Sequence, residues 1–148
     1  MGDLFSWIES TNLARTVASS AGLTASLSAI HLIGFTLVTS GALVANLRAL
    51  GALFTARPIA DVVRPANSVI LTGLAISAST GGLLFATRAT EVSSNGIFQM
   101  KMLLLVAAAA LHFAIYRRPV GYAPAAAALG LSLWLGLAVT ACAFILLE

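Results

Sequence analysis

The sequence predicts an all-α, polytopic membrane protein: four transmembrane helices in a bundle, with a short N-terminal interfacial helix. Three observations predict this class. Hydrophobic residues make up 59% of the 148, charged ones only 9%, and the mean hydropathy is +0.99. A soluble domain of this size carries roughly a quarter charged residues. Apolar runs of about 20 residues, the length that crosses a bilayer, recur along the chain, and most charges fall between those runs or at the termini.

Residues 1–20 read as an amphipathic segment too short and too polar to span. Leu4, Phe5, Trp7 and Ile8 gather on one side of a short helix, and Trp7 suits the headgroup level. Ser10 or Thr11 is the expected cap of a second turn carrying Leu13, Ala14 and Val17. Acidic Asp3 and Glu9, and the lack of an apolar core before Gly22, argue against a cleavable signal. Nor does the C-terminal sequence carry a lipidation box.

Residues 21–148 form one transmembrane domain, with spans expected at about 23–47, 68–87, 98–116 and 125–147. In the first, Thr24, Ser28 and His31 make a narrow polar stripe, and Gly34 and Gly41 permit close packing. Residues 51–66 read as a connection with an interfacial turn of helix between Pro58 and Pro65. The second span repeats Gly73, Ser77 and Gly81 every four residues, a small-residue packing face. Arg88, Glu91 and Ser93-Ser94-Asn95-Gly96 predict the turn that closes it. The third span ends at Tyr116-Arg117-Arg118, and Pro119, Gly121 and Pro124 predict the next turn. In the fourth, Ser132, Gly136 and Thr140 form the expected small face, and Trp134 reads as packing.

The net charge of +3 and pI of 9.8 come from loop residues too sparse for a nucleic-acid footprint. Arg48, Arg57, Arg64, Arg117 and Arg118 lie on one side of the expected membrane. Arg15, Arg88 and Lys101 lie on the other, with Asp3, Glu9, Glu91 and Glu148. The positive-inside rule then puts both termini outside, which in a bacterial cytoplasmic membrane is the periplasm. The single Cys142 excludes an intramolecular disulfide.

Three ionisable residues fall within hydrocarbon depth: His31, Lys101 and His112. Such groups are costly in lipid and usually face a partner, a cavity or a cofactor. Lys101, Leu105, Ala108 and His112 share one face of the third span, and Ala107–Ala110 between them has almost no bulk. Carboxylate pairs, phosphate loops, zinc spacings and Ser-His-Asp series are absent, which removes most hydrolytic and phosphoryl-transfer chemistry. Two histidines on different helices of a bundle are an arrangement that holds haem. With spans one and three aligned by their centres, His31 lies about 4 Å outside the midplane, Lys101 roughly 9 Å outside and His112 roughly 7–8 Å inside. The two histidines thus differ by roughly 11 Å in depth, but His31 and Lys101 by only about 5 Å. A haem site around His31 and Lys101 is therefore favoured, with His112 below it or at a second site. Met100 and Met102 offer thioethers to Cu(I), but from different sides of the helix.

His31 in HLIGFTLVTSGALVANLRALG, followed by TGGLLFATRATEVSSNGIFQMKMLLLVAAAALHF, resembles an uncharacterised family of bacterial four-helix membrane proteins. That family is similar in plan to the copper-resistance D membrane domain and to the HemJ-type protoporphyrinogen oxidase. The shared plan is a histidine in the first span and a lysine opening the third, and it covers about residues 25–115. The HemJ-type likeness implies haem b at His31 and Lys101. The reading this favours is a haem b-binding, electron-transferring membrane protein with His31 as axial ligand and Lys101 or His112 as second ligand or as a propionate or hydrogen-bond partner. The full basic and aromatic pattern of that oxidase is missing, so its reaction is not implied. The copper-resistance likeness implies copper uptake, although exposed segments rich in histidine and methionine are missing. Expected partners are the lipid bilayer and quinone or a membrane redox subunit, in a homo- or hetero-oligomer or alone. The alternative from another class is a cofactor-free structural or accessory subunit.

Overall fold

The computed structural model describes residues 2–116 and 124–147, with side chains to Phe144. The helices are α1 (Gly2–Glu9), α2 (Asn12–Ala18), α3 (Ala21–Ala49), α4 (Ile59–Thr87), α5 (Ala89–Ser94), α6 (Gly96–Tyr116) and α7 (Pro124–Leu147). Four of them, α3, α4, α6 and α7, are long and apolar enough to cross a membrane. The predicted turn at Pro119 and Gly121, with Arg117 and Arg118, lies outside the described residues, as does Glu148.

Local chemistry sets the boundaries. The hydroxyl of Thr11 accepts from the Ala14 N–H and starts α2; Ser20 does the same for α3 with Leu23. At the end of α3, Gly51 takes φ +73°, its N–H donates to the Arg48 carbonyl and the Ala52 N–H to the Leu47 carbonyl. This is a Schellman closure, which needs a residue that tolerates positive φ. Phe54 also has positive φ (+53°), a conformation that costs a side-chain-bearing residue roughly 1–2 kcal/mol. Asn95 starts α6 by accepting from the Ile97 and Phe98 N–H groups.

Two stretches differ from expectation. The second span begins at Ile59 rather than near residue 68, and α4 runs through Pro65 without a break. A proline there removes one helical hydrogen bond, that of the Asp61 carbonyl. Burial compensates: Val62, Val63, Ala66 and Ile70 are packed away, with Val63 and Ala66 joining Ala45 and Tyr116 in one core cluster. At the other end of α4, the expected turn after Arg88 is partly helical, as α5. Its N-terminus has no cap of its own; the Glu9 carboxylate supplies one by accepting from the Thr90 N–H at 2.7 Å. Arg88 and Glu91 pair at 2.6 Å, and this hydrogen bond holds the Glu91 carboxyl below the usual carboxylate range.

Helix α3 packs along α4, and α7 bridges α3 and α6. The α3–α4 seam is made by absent side chains. A methyl on Gly34 would stand 2.7 Å from Ser77 Oγ, and one on Gly73 would stand 2.6 Å from the Gly34 carbonyl oxygen. The Gly73, Ser77, Gly81 stripe therefore faces α3, where Gly34, Val38 and His31 meet it, and Gly41 lies one step along against Ala66 and Ile70. Helix α4 reaches α6 through side chains, His112 to Asn67 and Phe85 stacked on Phe98. Val38, Ala42, Ile70, Ala108, Trp134 and Leu137 form the central core. On α7 the buried face is Ala127, Trp134, Leu137 and Ala141, not the expected stripe of Ser132, Gly136 and Thr140. Ser132 is exposed, and the hydroxyls of Ser132 and Thr140 are satisfied by carbonyls of their own helix. Side chains bonded in that way need no neighbour and can face lipid. Leu32, Ile33, Leu71, Leu103, Val106, Leu135 and Val139 also point outward, giving the bundle the apolar exterior of a protein dissolved in a bilayer.

The N-terminal helices lie across one end of the bundle. Helix α1 contacts α4 and α5, and α2 contacts α3 and α4. Phe5 turns inward onto Phe85, whereas Leu4 and Trp7 are exposed, as an interfacial segment requires.

Candidate functional site: two histidines at separate levels

The three polar residues singled out in the spans occupy two places. His31 reaches across from α3 to α4. Its Nδ1 lies 3.0 Å from the Ser77 carbonyl oxygen and 3.2 Å from Thr80 Oγ1. A carbonyl only accepts, so Nδ1 carries the proton and donates. Thr80 gives its own hydroxyl proton to the Ile76 carbonyl, which leaves its lone pair for the imidazole. The ring lies against bare backbone at Gly81, where a methyl would come within 2.8 Å of Cε1. With Nδ1 committed, Nε2 keeps its lone pair, and it makes no hydrogen bond among the described residues.

Lys101 lies in electrostatic range of His31. Its ammonium stands 5.5 Å from the centroid of the Phe144 ring, close enough for a cation–π attraction. Around it an aromatic file crosses four helices: Phe5 on α1, Phe85 on α4, Phe98 on α6 and Phe144 on α7, with successive centroids 5.5–6.1 Å apart. The lysine is half-buried among these elements, and the predicted face it shares with Ala108 and His112 points into the bundle.

His112 sits elsewhere. It is 1% exposed and donates Nε2–H to Asn67 Oδ1 at 2.8 Å. One turn on, Tyr116 donates to Asn46 Oδ1, and Asn46 donates to the Ala42 carbonyl. The His112 ring lies 4.6 Å from that of Tyr116 and 6.3 Å, edge-on, from that of Trp134. Each spanning helix thus contributes to one buried cluster: Asn46 from α3, Asn67 from α4, His112 and Tyr116 from α6, Trp134 from α7. His112 Nδ1 and Trp134 Nε1 are buried with no hydrogen-bond partner among the described residues.

Helix α4 measures the separation. His31 is anchored at Ser77 and His112 at Asn67, ten residues and hence about 15 Å along the axis. One porphyrin ligated from both faces needs its ligands level, so these two imidazoles belong to different sites. Met100 and Met102 are both exposed, on different flanks of α6, and no three His, Cys, Asp or Glu side chains converge among the described residues.

The donor chemistry at His31 fits a haem ligand. A ring whose Nδ1–H is held by a backbone carbonyl has its tautomer fixed and Nε2 ready to coordinate. For such a group Lys101 would offer a second donor or a cation for a propionate, and the phenyl rings would supply apolar walls. Compared with known proteins, the chain matches no protein-family model, no curated relative and no solved structure.

Proposed function

We propose that this multi-pass membrane protein binds haem b in the half of the bundle nearer the N-terminal helices and carries electrons in a bacterial cytoplasmic membrane. The observation that supports the reading best is the hydrogen bond from His31 Nδ1 to the Ser77 carbonyl, which orients the ring and leaves Nε2 as a ligand atom. Bound haem b would supply a one-electron couple within the hydrocarbon layer. The chain's own residues do the rest. Ser77 and Thr80 fix the orientation of the imidazole, and Gly81 makes room for it against α4. Lys101 is placed to ligate or to neutralise a propionate, and Phe85, Phe98 and Phe144 keep water away. His112 belongs to the separate buried cluster. The electron partner on this reading is a membrane quinone or a second membrane subunit. The charge distribution supports both termini being periplasmic.

A cofactor-free packing subunit is the competing reading, and the same contacts favour it: His31 already ties α3 to α4 through Ser77, Thr80 and Gly81. An absorption spectrum of the purified protein, oxidised and then reduced, separates the two. Haem binding gives a Soret band and reduced α and β bands; protein expressed with ample haem and lacking them is a packing subunit.

A further inference from the structure

We propose that the groove between α3 and α4, at the end of the bundle away from the N-terminal helices, holds one phospholipid with an ethanolamine headgroup. The groove has a volume of about 320 Å³. Its walls are apolar, with Val44 and Val69 toward the middle of the spans and Phe54 at the loop. Two charged side chains line its mouth, Arg57 and Asp61, and they do not pair with each other. An acyl chain suits the apolar length, which from Asp61 to Val69 is about 12 Å of helix.

The headgroup follows from the two charges. A guanidinium recognises phosphate through paired N–H donors. A carboxylate four residues on is then the natural acceptor for an ammonium on the same headgroup. A glycerol headgroup brings no cation to Asp61, and choline brings one without N–H donors. Ethanolamine alone of these three satisfies both residues.

The wall is also held in place at a cost. Phe54 keeps its positive φ with the ring half-exposed, and the Arg57 guanidinium lies 5.9 Å from the ring centroid. The guanidinium of Arg48 donates to the Arg57 carbonyl and pins the loop. Strain retained beside a groove is more often part of a site than an accident.

The test is native mass spectrometry of the full chain in detergent, delipidated and titrated with phosphatidylethanolamine, phosphatidylglycerol and phosphatidylcholine of identical acyl chains. One phosphatidylethanolamine should bind roughly tenfold more tightly than either of the others. Asp61→Asn should lower it to the phosphatidylglycerol level, and Arg57→Gln should weaken all three. Val69→Trp should fill the groove and abolish retention, with an unchanged circular dichroism spectrum showing that the helices persist. Equal affinity for the three lipids, or full ethanolamine preference in Asp61→Asn, would overturn the proposal. So would a dimer that Val69→Trp dissociates, since a second copy would then occupy the groove. None of these outcomes depends on haem at His31.

Discussion

His112 on α6 donates its Nε2–H to Asn67 Oδ1 on α4 at 2.8 Å, joining two helices that otherwise meet mainly through aromatic rings. The bond sits at a level where His112 Nδ1 and Trp134 Nε1 have no hydrogen-bond partner among the described residues. Asn67→Leu would strand a second imidazole nitrogen in an apolar interior and should cost about 1–3 kcal/mol. Removing both partners leaves no imidazole or amide at this contact unsatisfied. The pair Asn67→Leu with His112→Leu should therefore be more stable than Asn67→Leu alone. Thermal unfolding in detergent checks the order, and a double variant less stable than the single one contradicts the assignment.

The α3–α4 seam makes a second prediction. Ser77 Oγ occupies the space a methyl on Gly34 would need. Ser77→Leu should force the helices apart and lower stability by about 1–3 kcal/mol. Ser132→Leu, on an exposed flank of α7, should change stability little. Equal melting temperatures for the two variants would mean that the Ser77 face meets lipid.

Much of this arrangement was legible in the sequence because helical periodicity is local. The spacing of Lys101, Leu105, Ala108 and His112 turns Ala108 and His112 inward together, and Gly73 and Ser77 find their partners on α3. The buried cluster was not legible. Asn46, Asn67 and Tyr116 each stand alone on their own helix, at depths that look like span ends, and only the packing of the spans brings them together. An asparagine bordering an apolar run was the available signal, since an amide in hydrocarbon needs a partner. Helix α5 was hidden for a similar reason: its cap, Glu9, lies 81 residues away in sequence. Pro65 misled because a proline's local cost is visible in sequence while the burial of Val63 and Ala66 that offsets it is not.

The topology gives a third prediction. If Arg48, Arg57 and Arg64 face the cytoplasm and the acid-bearing N-terminal segment lies opposite, as proposed, an alkaline phosphatase fused to the C-terminus should be active. A cytoplasmic reporter active at the same point would invert the bundle.

The fourth prediction concerns His31, whose Nδ1 is anchored and whose Nε2 is not. Its anchors are a backbone carbonyl and a hydroxyl, so neither supplies a charged partner for an imidazole at this depth. Coordination through Nε2, as proposed, would give the residue a use that the packing contacts alone do not. His31→Ala should abolish the Soret band while leaving the helical content intact, because Gly34 and Gly73 still close the seam. His31→Gln separates ligation from packing: an amide can reach the Ser77 carbonyl but is a poor iron ligand, so stability should hold while the band is lost. Lys101→Met should shift the spectrum or the midpoint potential if the amine ligates, since a changed axial ligand changes the iron's electronics. His112→Ala should leave the Soret position unchanged and lower thermal stability, because its level lies about 15 Å from the His31 anchor. A Soret band that survives His31→Ala but disappears in His112→Ala would move the haem to the other level of the bundle.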